Sequence, residues 1–233
     1  MTKTNDFTQE ELWEGVEYTL DAIEQVSGQS RSCLIGGTAL HLHGLRKDTG
    51  DIDLLVFLSP KCEKCLHKSC CIRSSLVRNF PDRFSVRDAK KPGADYMVLL
   101  YWTPLTRWPI KVDILVSTDP KVEIPNNLGM DDTDELSGYP VAPLEFLLYH
   151  KLLGWQKRME SDYEYEREKA KTKDKNDILG LCSHLATNGL RPLDVAFGSS
   201  RYNGRLRLRS ERFIREYGNE ARHHLVLVGL PGY

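Results

Sequence analysis

The sequence predicts an α/β protein, a mixed sheet flanked by helices, followed by a helical C-terminal portion. In the first 140 residues, short apolar runs typical of buried strands alternate with helical patterns. From residue 141 onward, apolar residues recur mainly at helical spacing. The chain has 233 residues, 40% of them apolar, which is enough for one large domain or two smaller ones. We therefore expect an α/β core over 1–140 and a helical portion over 141–233 that closes a cleft.

Composition and charge narrow the class of protein. The formal net charge is −1, so the overall charge gives no argument for a nucleic-acid or membrane partner. The apolar runs are far shorter than the roughly 20 residues that a membrane span needs. The polar stretch 1–7 does not have the pattern of a signal peptide. We expect a soluble, cytoplasmic protein without a membrane partner.

The elements of the core follow from periodicity and turn residues. A helix is predicted over 7–26, because its apolar residues recur at helical spacing and Thr8 with Glu11 has the pattern of a capping box. Apolar runs between turn residues predict the strands 32–35, 51–58, 83–87, 95–102 and 109–116, with a hairpin around 104–106. Helices are predicted over 38–43 and 69–80, and loops with short strands over 119–142.

The C-terminal portion is predicted to be mainly helical. Pro143 suits the first turn of a helix that runs to about residue 159. A highly charged stretch, 160–175, leads into another predicted helix over 174–186. The tail from Arg201 is rich in arginine, and apolar residues alternate with the arginines. Two interpretations stay open for this tail: a solvated helix or strand face, and a surface that binds nucleic-acid phosphates.

The sequence Gly36-Gly37-Thr38 joins a predicted strand to a predicted helix. Such a turn gathers free backbone N–H groups and the positive end of a helix at one point. Glycine also lets the backbone approach a ligand because it has no Cβ. The turn is therefore a candidate triphosphate site, and the alternative is a tight turn without a ligand.

Two aspartates follow on the next predicted strand. Asp51 and Asp53 are at positions i and i+2, so both carboxylates point to one face while Ile52 and Leu54 point to the other. Magnesium prefers oxygen ligands, and a cation would offset the repulsion of two acids embedded in an apolar run. The alternative is a pair of solvated acids on an exposed strand face.

A third acid lies in the apolar run 110–116. If the strand carrying Asp113 is the neighbour of the strand carrying Asp51, Asp113 reaches the same site. It would then bind the metal or act as a general base toward an acceptor hydroxyl. The alternative is a lone acid at a sheet edge.

At these residues the chain resembles the nucleotidyltransferase superfamily, which has the polymerase-beta-like fold. In that family a Gly-Gly or Gly-Ser turn holds the triphosphate and three carboxylates bind magnesium. The resemblance is closest to the AbiEii-type nucleotidyltransferases, toxins of type IV toxin–antitoxin systems. Their Gly-Gly-Thr-Ala-Leu motif matches 36–40 in full, and a basic residue and Ser or Thr precede their Asp-x-Asp. By that resemblance Lys47 and Thr49 join the phosphate site, Lys47 replacing Arg46, whose spacing differs by about one residue.

The resemblance extends into the helical portion. Helical spacing puts Lys151 in the middle of an apolar stripe, where a charged group needs a partner, and the related families have a lysine at the matching place. The alternative is a lysine that snorkels or pairs with a nearby acid. Asp174 and Asp177 resemble a Lys-Asp-x-x-Asp motif of the family. Asp177 is the stronger catalytic candidate, and both could be acids favoured at a helix start.

We expect a magnesium- or manganese-dependent enzyme that transfers a nucleoside monophosphate from an NTP, such as ATP, to an acceptor hydroxyl. The resemblance allows tRNA ends, proteins or small molecules as the acceptor. The alternatives are a kinase-like enzyme that transfers the γ-phosphate and a non-catalytic nucleotide-binding or interaction domain. The segment Cys62–Cys71 contains four cysteines and a histidine, so it is either a zinc site or a polar loop before a helix.

Overall fold

The computed structural model describes residues 7–28, 30–58, 69–89, 97–103, 108–120 and 122–230. The chain divides into two compact units. The first comprises Met1–Ile124 and Gly129–Val141, and the second Pro125–Leu128 and Ala142–Tyr233. Two predictions lie outside the described residues, namely the hairpin at 104–106 and a zinc site that would use Cys62, Cys65 and His67.

The described strands of the first unit form a mixed seven-stranded sheet. They are β1 (Arg31–Leu34), β2 (Asp51–Phe57), β3 (Phe84–Asp88), β4 (Met97–Tyr101), β5 (Ile110–Val116), β6 (Asp134–Leu136) and β7 (Tyr139–Val141). Their order across the sheet is β3-β4-β5-β2-β1-β7-β6. The pairs β2–β5 and β1–β7 are parallel, and the other neighbouring strands are antiparallel. The predicted mixed sheet with flanking helices is confirmed.

Helices of the first unit are α1 (Gln9–Val26), α2 (Gly36–Leu42) and α3 (Ser69–Asn79), with a 3-10 turn at Met130–Asp132. The predicted capping box is confirmed, because Thr8 and Glu11 exchange side-chain and backbone hydrogen bonds at the start of α1. A Cβ on Gly15 of α1 would lie 3.1 Å from Ile52 Cδ1, so α1 packs closely on the face of β2 that carries Ile52. That face is therefore the core side of the sheet, and the acids of β2 lie on the other face.

The second unit is helical in the part that the structure describes. Its helices are α4 (Leu144–Met159), α5 (Glu164–Lys169), α6 (Lys175–Thr187), α7 (Ser200–Tyr217) and α8 (Asn219–Leu227). Pro143 is the N-cap of α4, one position before the predicted first turn. No helix among the described residues is long and apolar enough to cross a membrane.

The helix predicted over 174–186 corresponds to α6, but Asp174 is not the start of a separate helix. A π-helical segment, Ala170–Asp174, joins α5 to α6 without interruption, so Asp174 and Asp177 do not lie at a helix start. Asp174 is instead buried and paired with Arg158 of α4. The favourable interaction of an acid with a free helix N-terminus therefore does not explain these aspartates.

Candidate active site

The three predicted carboxylates lie on neighbouring strands of the sheet. In the parallel register of β2 and β5, Asp53 is opposite Asp113 and Asp51 is opposite Lys111. Residues two apart on a strand share a face, so these four side chains form a square on one face of the sheet. Their side chains are accessible, with 47% of Asp51 and 45% of Asp113 exposed. The expected proximity of the two strands is thus confirmed.

Lys111 is a member of this square that belongs to none of the sequence motifs. Its ammonium group donates a hydrogen bond to Asp113, and its Nζ lies 3.8 Å from Oδ2 of Asp51. Burial lowers the pKa of Lys111, but the carboxylates of Asp113, Asp51 and Asp53 raise it by more, so the net pKa lies above its ordinary value. The alternation of apolar and polar residues in 110–116 already indicated that Lys111 shares a strand face with Asp113, because the two are two residues apart.

The glycine turn packs directly against Asp53. The N–H of Gly37 donates a hydrogen bond of 2.6 Å to Oδ2 of Asp53. Gly36 has φ +58°, a conformation that favours glycine, and a Cβ there would lie 2.4 Å from the same oxygen. The turn is therefore specific for glycine at Gly36 both by backbone conformation and by the position of Asp53.

Hydrogen bonds from the hydroxyl groups of Thr38 and Thr49 join the turn and the following loop to β2. Thr38 Oγ1 donates to the carbonyl of Asp51 at 3.0 Å and accepts from the N–H of Asp53 at 3.1 Å. Thr49 Oγ1 donates to the same carbonyl of Asp51 at 3.2 Å. These bonds fix the backbone between the two acids, so the predicted phosphate turn and the predicted metal ligands form one connected structure.

The structure brings Arg46, rather than Lys47, against the glycine turn. A Cβ on Gly37 would lie 2.7 Å from Nη1 of Arg46 and 2.9 Å from Oγ1 of Thr49. Lys47 is exposed. Lys47 was the predicted phosphate ligand because of a one-residue difference in spacing. The loop between α2 and β2 nevertheless brings Arg46 to the turn. A guanidinium beside a glycine turn suits the bidentate recognition of phosphate oxygens.

The donor set of the square suits a hard divalent cation, since carboxylate oxygens are the ligands that magnesium prefers. Among the described residues, however, no group of three or more His, Cys, Asp and Glu side chains converges as a metal site does. Asp53 instead accepts a hydrogen bond from the N–H of Gly37, and Asp113 accepts one from Lys111. The chemistry of the residues fits magnesium, and the prediction that Asp51, Asp53 and Asp113 bind it stays a prediction.

In the second unit, Lys151 of α4 and Asp177 of α6 form an ion pair of 2.9 Å. Only 14% of the Lys151 side chain and 7% of the Asp177 side chain are exposed. The expectation that a lysine within an apolar stripe has a partner is confirmed, and its partner is the other catalytic candidate of the helical portion. Whether the pair takes part in catalysis stays a prediction.

Next to this pair lies His150, whose ring stacks on Phe146 with 5.7 Å between the ring centroids. Burial, followed by the positive charges of Lys151, Lys157, Arg158 and Arg209, lowers the pKa of His150 to about 4. The imidazole is therefore neutral in the native protein at neutral pH. No sequence pattern indicated this, because the charges that act on His150 come from two different helices.

Comparison with solved structures identifies the fold. An antigenic nucleotidyltransferase-like protein from Paracoccidioides brasiliensis matches with a TM-score of 0.55 and 16% identity over 92% of this chain and 93% of that one. The protein JHP933 from Helicobacter pylori matches with a TM-score of 0.43 and 17% identity over 96% of this chain and 90% of that one. At this identity the first likeness shows a nucleotidyltransferase-like fold and nothing finer, and the second score is too low to add an argument.

The other comparisons found no relative. No known protein-family description matches the sequence, and no curated protein does. The likenesses among solved structures do not single out the AbiEii-type proteins. That finer resemblance therefore rests on the sequence motifs alone.

Proposed function

We propose that this protein binds a nucleoside triphosphate and transfers its nucleoside monophosphate to an acceptor hydroxyl. One observation supports the proposal above the others: the parallel register that sets Asp53 beside Asp113, with the Gly36-Gly37 turn packed on Asp53. A glycine turn beside three carboxylates suits phosphoryl or nucleotidyl transfer, because the carboxylates can hold the divalent cation that neutralises phosphate charge. Within this proposal, the 36–40 motif also supports an AbiEii-type relationship.

The triphosphate is assigned to the glycine turn. The missing Cβ atoms of Gly36 and Gly37 leave room for Asp53 and Arg46 to lie against the turn, so a carboxylate and a guanidinium meet at one place. Arg46 and Thr49 reach the same place, as the positions of Nη1 and Oγ1 near Gly37 indicate. Lys47 stays a second basic candidate for the phosphates because it lies in the same loop.

Asp51, Asp53 and Asp113 would hold magnesium or manganese. The bound cation would neutralise phosphate charge and orient the reacting groups. Lys111 already supplies a positive charge among these acids, so it offsets their mutual repulsion within the folded chain.

In the transfer, the acceptor oxygen forms a bond to the α-phosphorus while the bond from that phosphorus to the bridging oxygen breaks and pyrophosphate leaves. The proton of the acceptor hydroxyl passes to a carboxylate, and Asp113 is the candidate base because its side chain is 45% exposed. Lys151 and Asp177 are the further catalytic candidates, with Lys151 as a neutraliser of phosphate charge. The acceptor is a hydroxyl of tRNA, of a protein or of a small molecule.

Incubation with magnesium and either α-labelled or γ-labelled ATP tests the proposal. We expect NTP binding and transfer of the α-label, and both should fall at least tenfold in Asp53→Asn, which keeps an oxygen acceptor for Gly37 N–H but loses the charge. Asp88→Asn removes an exposed acid from β3 of the same sheet and should bind like the wild type. Transfer of the γ-label instead would establish the kinase-like alternative, and absence of NTP binding by the wild type would refute both.

A further inference from the structure

Four arginines of α7 lie in one stripe, in which Arg205 is half-buried and the other three are exposed. Arg201, Arg205, Arg212 and Arg215 fall within about 80° of the helix circumference, at 3.6 residues per turn. Along the axis they span about 21 Å, at 1.5 Å per residue. The opposite face of α7 is packed, since Leu206 and Ser210 are fully buried there. The stripe is therefore the outer surface of the helix.

The middle of this arginine stripe is small and apolar. Gly204 and Leu208 lie between the arginines, and Leu208 is 50% exposed. Arg212 forms an ion pair with Glu160 at 2.9 Å, and both of these side chains are largely exposed. An exposed ion pair of this kind contributes little to stability, so a phosphate can replace the carboxylate at small cost.

A cavity of about 430 Å³ opens at the C-terminal end of the stripe. Its walls include Trp155 and Met159 of α4 together with Arg212 and Arg215 of the stripe. Two carboxylates, Glu160 and Glu216, also line it, beside Gln156. A planar group with amino hydrogens suits these walls, because Met159 and the guanidinium planes of Arg212 and Arg215 can contact its faces while carboxylate and amide oxygens accept from its edge.

We propose that the arginine stripe and this cavity bind a single strand of nucleic acid. Backbone phosphates lie along the arginines, and one unpaired base enters the cavity. A single strand fits better than a duplex, because a base must leave its stack before it can enter a pocket. The chain as a whole has a net charge of −1, so the positive surface is local to the second unit and does not follow from the composition.

Binding of short labelled single-stranded RNA and DNA, followed by fluorescence anisotropy as salt increases, tests the proposal. The measurement contains no NTP and no magnesium, so its outcome is independent of the proposed transfer. Each arginine that neutralises a phosphate of a single strand contributes about 0.7 to the slope of log affinity against log salt. The variant Arg201→Gln/Arg212→Gln/Arg215→Gln should therefore bind more weakly and lose roughly 2 from that slope.

The matched control is Arg207→Gln. Arg207 is an exposed arginine of α7 that points about 120° away from the stripe. We expect it to keep the wild-type slope, and circular dichroism should show all variants folded because only exposed side chains change. Absence of binding by the wild type at low salt, or an equal loss in Arg207→Gln, would overturn the proposal.

Oligonucleotides without bases test the cavity separately. They present the same phosphates, so the stripe should still bind them. Loss of one stacked base should weaken binding about fivefold or more. Equal affinity for the abasic and the complete strand would overturn the assignment of the cavity. Tighter binding of RNA than of DNA would indicate that the 2′-hydroxyl is also recognised.

Discussion

The backbone N–H of Gly37 donates a 2.6 Å hydrogen bond to Oδ2 of Asp53. This bond joins the two most distinctive motifs of the chain, which are 16 residues apart. A charge-assisted hydrogen bond of this kind is stronger than one between neutral groups, and it fixes the carboxylate relative to the turn. The position of Asp53 and the conformation of the glycines therefore depend on each other.

Alanine at Gly36 should destabilise the protein more than alanine at Gly44. Both glycines have positive φ, which costs an L-residue about 1–2 kcal/mol. A Cβ at Gly36 would also lie 2.4 Å from Asp53 Oδ2, whereas nothing lies within 4 Å of a Cβ at Gly44. In urea unfolding, we expect Gly36→Ala to lower the free energy of unfolding by at least ~1 kcal/mol more than Gly44→Ala does. We also expect Gly36→Ala to abolish NTP binding. Equal losses would show that the contact with Asp53 is unimportant.

Replacement of Lys111 should change the response of the protein to magnesium. Lys111 is the cation among Asp51, Asp53 and Asp113, so Lys111→Gln leaves their charges less compensated. We expect a lower melting temperature without metal and an apparent magnesium affinity about fivefold higher, equivalent to ~1 kcal/mol near a protein surface. Arg87→Gln removes an exposed positive charge from β3 and should leave the magnesium response unchanged. A weaker response in Lys111→Gln would mean that Lys111 helps to build the metal site.

The ion pair of Lys151 and Asp177 should matter more for stability than an exposed pair of the same unit. Lys151→Met removes a partner from a carboxylate that is only 7% exposed, a change that costs about 3 kcal/mol. Lys171→Met breaks the exposed pair with Glu168 and should cost at most about 0.5 kcal/mol. Denaturant unfolding measures both. In a double-mutant cycle with Asp177→Asn, a coupling energy no larger than the experimental error would show that this ion pair does not stabilise the fold.

Stability should fall as the pH is lowered from about 6.5. The pKa of His150 is about 4 in the native protein, below the ~6.5 of an unfolded chain. The unfolded state therefore binds more protons between these values, so the contribution of the neutral histidine is complete above pH 6.5 and is lost as the pH falls. Between pH 6.5 and 5 we expect a loss of about 2 kcal/mol.

Chemical denaturation across that pH range checks the effect of His150. The variant His150→Gln should be less stable at neutral pH, since it loses the stacking on Phe146, but its stability should depend less on pH. His223→Gln replaces an exposed histidine of α8 and should keep the wild-type pH dependence. An unchanged slope in His150→Gln would refute the role of this histidine.

Local patterns in the sequence were sufficient for much of the fold. The capping box of Thr8 and Glu11 and the alternation around Asp51 and Asp53 are determined by residues a few positions apart, and the structure has both. The continuous helix through Ala170–Asp174 was not predicted. The buried carboxylate of Asp174 pairs with Arg158 of α4, a contact between separate helices that no local pattern indicates.

By itself, the sequence determined that the chain has a glycine turn, two acids on one face of a strand and a lysine within an apolar stripe. Tertiary structure decided what each of these meets. The pairing of β2 with β5 joins residues about 60 positions apart, and the pairing of Lys151 with Asp177 joins two helices. Such contacts depend on which strands and helices pack together, because a strand face or helix stripe specifies burial but not its neighbour. Lys111 among the acids and Arg46 beside Gly37 became visible only when those neighbours were known.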